Sequence, residues 1–122
     1  MILAGDPIKK RGNLYIGNFE AAKDINNLKG FDIKYVISSM EMKQLDALKK
    51  KYKDNGITHK IVDTHDIPNC DISIHFPATY DFIEMGLLQG NVMIHSFAGI
   101  SRSTTLALSY LMKKQRKPWK KL

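Results

Sequence analysis

Cysteine and long hydrophobic runs are nearly absent from this chain. Cys70 is the single cysteine among 122 residues, which excludes an internal disulfide and a cysteine-rich zinc site. No window approaches the roughly 18 apolar residues of a membrane-spanning helix, and the N-terminal residues lack the apolar region of a signal peptide. Internal repeats and Gly/Ser linkers are also missing. We therefore expect one domain over residues 1–122, no membrane partner, and a location in the cytoplasm, with the nucleus as the alternative.

The excess of positive charge is confined to one end of the chain. The net charge is +7, and six of the nineteen cations fall within residues 113–122. Residues 1–112 carry thirteen cations against twelve anions, so they are nearly neutral. Cations suit a solvated helix C-terminus because they oppose its dipole, and no aromatic ladder is interleaved with them, as single-stranded nucleic-acid binding requires. We do not expect a nucleic acid as partner.

Short β-branched runs alternate with longer amphipathic stretches along the chain. This alternation predicts an α/β layer fold with a short, largely parallel central sheet and helices on both sides. Strands are predicted over residues 14–16, 33–38, 57–62 and 92–94, the last of them central. Helices are predicted over residues 18–30, 42–52 and 76–87, followed by a buried helix through residues 106–112 that Pro118 ends. Residues 63–75 are polar and are predicted to form a loop.

The segment over residues 92–103 carries the strongest functional signal. A short apolar strand is followed by small residues, an arginine and the start of a helix. Such a turn directs several backbone N–H groups into one concavity, at the positive end of the helix dipole. Gly99 allows a close backbone approach, and the planar guanidinium of Arg102 matches phosphate oxygens. We expect a pocket for a dianionic phosphoryl group, lined by Ser96, Phe97, Ala98, Gly99, Ile100, Ser101 and Arg102.

The nonapeptide at residues 95–103, HSFAGISRS, resembles the signature loop of the dual-specificity protein phosphatases, His-Cys-x-x-Gly-x-Ser-Arg-Ser. Residues 66–76 are similar to the general-acid loop of that family, and residues 14–17 and 104–113 to its opening strand and its last core helix. The resemblance implies hydrolysis of phosphotyrosine and phosphoserine/threonine esters through a phospho-cysteine intermediate, with a phosphorylated protein as substrate. A phosphate or sulfate ion is expected in the loop, and neither a metal nor an organic cofactor. Related loops of the same superfamily act on RNA 5′-triphosphates or phosphoinositides.

The resemblance also implies a role for each matching residue. Position 96 is that of the nucleophile, and Arg102 would bind the equatorial phosphate oxygens. Asp66 would protonate the leaving group and then activate water. Ser101 would hydrogen-bond the nucleophilic sulfur, and His95 would support the loop and its electrostatics from behind.

Several other reactive side chains match no role. Asp63 is the second candidate acid, ranked below Asp66 because Asp66 has the family's spacing to the helix start. Cys70 is followed by no glycine-containing cradle and no suitably placed arginine, so we interpret it as a structural thiol. The three remaining histidines are expected to be surface or loop residues, and they are His59, His65 and His75.

Ser96 is the main departure from the family pattern. A helix N-terminus and nearby cations can bring a cysteine pKa to about 3.5–7.5, whereas a serine hydroxyl stays protonated without an adjacent base. We therefore expect phosphate binding without turnover. Two explanations are open: a deliberate Cys-to-Ser exchange, or a natural pseudophosphatase that binds phosphoproteins. The intact general acid favours the exchange.

The C-terminal end is a second departure, because domains of the family continue through further helices. Their absence would uncover apolar surface on the sheet or the last helix. We expect Trp119 and Leu122 to fold back over this surface or to pack against a second copy of the chain, as in a homodimer.

Overall fold

A five-stranded mixed sheet forms the centre of the computed structural model, which describes residues 2–4, 12–63, 73–96 and 101–115. The spatial order is β1–β2–β5–β3–β4. The pairs β2–β5, β5–β3 and β3–β4 are parallel, and β1 joins the edge antiparallel to β2. The strands are β1 (Ile2–Ala4), β2 (Leu14–Gly17), β3 (Ile33–Met40), β4 (Thr58–Asp63) and β5 (Asn91–Ser96). The predicted α/β layer fold is confirmed, with β5 central as expected, while the edge strand β1 was not predicted.

Within the described ranges, five helices cover the sheet. They are α1 (Phe19–Lys23), α2 (Ile25–Gly30), α3 (Asp46–Asp54), α4 (Phe76–Gln89) and α5 (Ser101–Gln115), with a 3-10 turn over Met42–Gln44 before α3. The single helix predicted over residues 18–30 is wrong. Asp24 ends α1 and caps α2, because its side chain accepts a hydrogen bond from the Asn27 N–H at 3.1 Å, so the chain turns between two short helices.

The two faces of the sheet carry two separate apolar clusters. Alternate strand residues point to opposite faces, and in β5 Val92 and Ile94 pack with α4 and α5, whereas Met93 packs with α1, α2 and α3. The helices therefore flank the sheet on both sides, as the sequence predicts. The same alternation sends His95 and Ser96, the last two residues of β5, to opposite faces.

The start of β5 is fixed by the side chain of Asn91. Its Oδ1 accepts a hydrogen bond from the Asn13 N–H at 2.7 Å, and its Nδ2 donates to the Phe31 carbonyl at 2.5 Å. Asn91 thus joins the segment before β2 to the turn before β3. Gly86 lets α4 lie close to the sheet, because a Cβ there would be 2.5 Å from Val92 Cγ2 and 2.8 Å from Tyr35 Cγ.

Helix α5 is buried on one face only. Leu106, Ala107 and Tyr110 lie in the core, but Leu108 and Met112 are 48% and 39% exposed. The prediction that this helix is buried is therefore wrong for one face, because α5 packs against the sheet and α4 with the other face and leaves Leu108 and Met112 exposed. None of the helices within the described ranges combines the length and the apolar character that crossing a bilayer requires.

Candidate active site

The segment over residues 95–103 lies where the central strand β5 is followed by α5. Strand β5 ends at Ser96 and α5 begins at Ser101, so residues 97–100 join a strand end to a helix start. In a parallel sheet, binding sites lie beyond the carboxyl ends of the strands. The first turn of α5 holds no acidic residue, so no side-chain charge there opposes an anion at the positive end of the helix dipole.

Ser96 lies on the face of the sheet that α4 and α5 cover. It is 4% exposed and its Cα pairs with that of Ser39 on β3. The Ser39 hydroxyl is buried and has no hydrogen-bond partner among the described residues. Sequence reasoning missed Ser39, since its relation to Ser96 arises only when β3 pairs with β5.

His95 lies on the opposite face and is fully buried. Its Nε2 is hydrogen-bonded to the Ser38 Oγ at 2.5 Å. The Phe19 ring stacks on the imidazole, with centroids 6.0 Å apart and the planes inclined by 17°. The ring is thus held from α1 and from β3, directly behind the first residue of the candidate loop.

The imidazole of His95 is neutral at physiological pH. Burial lowers its pKa to about 4, a hydrogen bond with the Ser96 main chain acts in the opposite direction, and the nearby His59 lowers the pKa further. A neutral ring supports the neighbouring main chain through hydrogen bonds rather than through a positive charge. The His95 ring therefore contributes no positive charge that could stabilise an anion at position 96.

His59, predicted to be a surface or loop residue without a role, is in fact a strand residue with a buried ring nitrogen. It lies on β4, partly buried, and its Nε2 is hydrogen-bonded to the Ser38 Oγ at 2.7 Å. The edge of the Tyr52 ring meets the imidazole at a centroid distance of 4.7 Å. Burial, and then the charge of Lys49, lower the pKa of His59 to about 4.

Of the other candidate residues, the structure describes only Asp63 and His75 with their side chains. Asp63 is the last residue of β4, and His75 is the partly buried N-cap residue of α4. Within the described ranges, no three His, Cys, Asp or Glu side chains are grouped so as to hold a metal ion. Most of the remaining predicted site positions lie outside the described residues, and they are Asp66, His65, Cys70, Phe97, Ala98, Gly99 and Ile100. For Ser101 and Arg102 only the backbone, in the first turn of α5, is described.

Comparison with known protein families gives a match over almost the whole chain and not only over the local motif. Residues 14–121 match the family "Dual specificity phosphatase, catalytic domain". Dual specificity protein phosphatase 26 of Bos taurus is 37% identical over 101 residues, which cover 81% of this chain and 47% of that protein. The chain spans about half the length of the first curated relatives that it matches.

Two solved structures are similar to this chain over most of its length. The crystal structure of DUSP15 matches with a TM-score of 0.71 and 34% identity, covering 97% of this chain and 70% of that one. The crystal structure of a human tyrosine phosphatase-like serine/threonine/tyrosine-interacting protein matches with a TM-score of 0.72 and 25% identity, covering 88% and 73%.

Proposed function

The chain belongs to the dual-specificity phosphatase family, and from that premise we propose that its site binds the phosphoryl group of phosphotyrosine and phosphoserine/threonine in proteins. With cysteine at position 96 the site hydrolyses the ester through a phospho-cysteine intermediate. With Ser96 it binds the phosphoryl group and turns over little or not at all.

The observation that carries the proposal is the junction of β5 and α5. The motif at residues 95–103 spans the end of the central parallel strand and the start of a fifteen-residue helix. That is where converging N–H groups and a helix dipole favour a dianion. Arg102, in the first turn of α5, supplies a bidentate cation.

The proposed reaction needs an anionic nucleophile and a proton donor. Arg102 and the loop N–H groups bind the three equatorial oxygens and stabilise the charge that develops on them. Asp66 protonates the leaving oxygen as its bond to phosphorus breaks, and then accepts a proton from the water that hydrolyses the intermediate. Ser101 hydrogen-bonds the nucleophile as it leaves. Among the described residues, the imidazole next to Ser96 in sequence, that of His95, lies on the opposite face of the sheet, so it is not placed to remove the Ser96 proton.

Restoring the nucleophile tests this proposal. We expect Ser96→Cys to confer hydrolysis of a small aryl phosphate, measured by release of the phenol. Adding Asp66→Asn to that variant should lower kcat by about 10²–10⁴, the usual contribution of a general acid. The matched control is Asp63→Asn in the same background, which should leave kcat nearly unchanged.

Three outcomes would contradict the proposal or one of its residue assignments. If Asp63→Asn lowers kcat as much as Asp66→Asn or more, the acid has been placed on the wrong residue. If Cys70→Ser abolishes the activity of the Ser96→Cys form, the nucleophile is Cys70. An inert Ser96→Cys form that also fails to bind inorganic phosphate by calorimetry would remove the phosphatase proposal entirely.

A second candidate function is suggested by Ser96 itself. As it stands, the chain fits a phosphoprotein-binding module, and one similar structure is named a phosphatase-like interacting protein. A neutral hydroxyl repels a phosphate dianion less than a thiolate does, so binding persists or strengthens. A Ser96→Cys form that stays inert while the unaltered chain binds phosphopeptides would favour this candidate.

A further inference from the structure

Two consecutive serines lie in the buried part of β3, and their side chains point to opposite faces of the sheet. Ser38 lies on the face that α1, α2 and α3 cover, and Ser39 lies on the face that α4 and α5 cover. The Ser38 hydroxyl is hydrogen-bonded to two imidazoles. The Ser39 hydroxyl is buried and has no hydrogen-bond partner among the described residues.

The surroundings of the Ser39 hydroxyl on this face are apolar. Ile37 on β3 pairs with Ile94 on β5, and both belong to the apolar cluster beneath α4 and α5. Burial of a hydroxyl without a hydrogen bond destabilises a folded chain, and buried polar side chains of native proteins nearly always have a partner. Alanine would occupy the position of Ser39 without this penalty. The hydroxyl is therefore a donor that can serve a group placed next to it.

Position 96 is the in-register neighbour of Ser39 on β5. Adjacent strands lie about 4.8 Å apart. Each of the two residues lies two positions beyond the isoleucine of its own strand, so both side chains point to the same face. Both residues are buried, so little water competes for a contact between them. Side chains in this arrangement can direct their terminal atoms at each other.

The side chain at position 96 decides whether the Ser39 hydroxyl has an acceptor. With Ser96, the Ser39 Oγ has no partner in the part of the chain that the structure describes. A cysteine sulfur is larger than a hydroxyl oxygen, lies farther from its Cβ, and accepts hydrogen bonds over longer distances. A deprotonated sulfur is also charged, and hydrogen bonds to an ionised acceptor are about twice as strong as neutral ones. A thiolate at position 96 therefore supplies the acceptor that the serine does not.

We propose that the Ser39 hydroxyl donates a hydrogen bond to the sulfur when position 96 holds cysteine, and that this bond stabilises the thiolate. The donor comes from β3, the neighbouring strand, and not from the loop that follows β5. The role of this sulfur as the nucleophile rests on the proposed function, whereas the hydrogen bond does not.

The pH dependence of alkylation by iodoacetamide measures the proposed contact. The experiment uses the Ser96→Cys/Cys70→Ser form, in which position 96 holds the single thiol of the chain. A donor to the thiolate favours the charged form of the thiol, so its loss moves ionisation to higher pH. We expect Ser39→Ala in this form to raise the midpoint of the alkylation profile by about one pH unit, the scale of one hydrogen bond to a charged group. An unchanged midpoint would overturn the inference.

Thr79→Val in the same form is the matched control. Thr79 lies on the buried face of α4, and its hydroxyl likewise has no partner among the described residues. It belongs to the helix and is not the in-register neighbour of position 96, and valine has nearly the same shape as threonine. We expect Thr79→Val to leave the alkylation midpoint unchanged. An equal rise in both variants would show a general effect of removing a buried hydroxyl and refute a specific contact with Ser39.

Urea unfolding of the unaltered chain is an independent measurement on Ser39. With Ser96 in place, Ser39→Ala removes a buried hydroxyl that has no partner among the described residues. The urea midpoint should therefore stay the same or rise. A midpoint that falls further than that of Thr79→Val would mean that Ser39 is already bonded to another group, and the proposed donor would not be available to position 96.

The outcomes separate this inference from the proposed function. A raised alkylation midpoint for Ser39→Ala, together with a Ser96→Cys form that hydrolyses no aryl phosphate, would support the hydrogen bond and reject the phosphatase proposal. Hydrolysis by the Ser96→Cys form, together with a midpoint that Ser39→Ala does not move, would do the reverse.

Discussion

Acidification from pH 7 to pH 5 should destabilise this protein through two histidines. The pKa values of His59 and His95 are both lowered to about 4, against about 6.5 for an unfolded histidine. Between these values the unfolded chain binds protons that the folded chain does not bind. Stability is therefore fully present above pH 6.5, is lost as the pH falls towards 4, and shows no further loss from these groups below that.

The size of the effect follows from the two pKa values. A histidine with a pKa of about 4 when folded and about 6.5 when unfolded loses about 2 kcal/mol of unfolding free energy between pH 7 and pH 5. For the fully buried His95 we expect this whole loss of unfolding free energy. His59 is only partly buried, and solvent screening reduces its share to about 1 kcal/mol. The expected total is about 3 kcal/mol, a large fraction of the stability of a small domain.

Urea unfolding at a series of pH values, followed by far-ultraviolet circular dichroism, measures this loss. Lys49→Gln removes the charge that lowers the pKa of His59, so it should reduce the loss, whereas Lys50→Gln on the same helix is the matched control. The double variant His59→Gln/His95→Gln should remove most of the difference between pH 7 and pH 5. A flat profile in the unaltered chain, or an unchanged slope in the double variant, would refute the reasoning.

Two further predictions concern packing and the start of the central strand. Gly86→Ala should lower the unfolding free energy by about 1–3 kcal/mol, because the new Cβ overpacks the contact between α4 and the sheet. Gly30→Ala is the control: no atom lies within 4 Å of its new Cβ, so it should be neutral or stabilising by up to about 1 kcal/mol. Equal effects of the two variants in urea unfolding would contradict this prediction. Asn91→Ala should cost about 1–3 kcal/mol because it leaves a main-chain donor and a carbonyl unpaired. Asn55→Ala, which loses a single solvent-exposed hydrogen bond to the Lys51 carbonyl, should cost under about 0.5 kcal/mol. A similar loss in both variants would contradict the role given to Asn91.

The layered fold was predictable from local patterns. Short apolar runs with strand periodicity located β2 to β5, and the alternation with helices fixed the class of the fold. The break between α1 and α2 was not predicted, although its signal was present. Asp24 followed by Asn27 is a capping pattern, but the apolar spacing through Phe19, Ala22 and Leu28 continues across it as one helical face. β1 has only three residues, too few for periodicity to be recognised.

The sequence motif of the candidate site could be recognised, but the contacts between side chains on different strands could not be predicted. The nonapeptide makes Ser96 and Arg102 candidates because its residues are contiguous in sequence, and their roles stay predictions. The hydrogen bonds that join Ser38 to His59 and His95 form only because β3 lies between β4 and β5. That is a property of strand order and not of any local segment. For that reason the sequence placed His59 among residues without a role.

The opposite orientation of His95 and Ser96 divides the site into two halves that the sheet keeps apart. One half, with Ser96, lies on the face of the sheet that α4 and α5 cover, and the other, with His95, lies on the face that α1, α2 and α3 cover. Substitutions in one layer can then alter the support of the loop without reshaping the surface that a substrate meets. A one-residue insertion inside β5 would exchange the two halves, so it should be far more damaging than an insertion in a connecting loop.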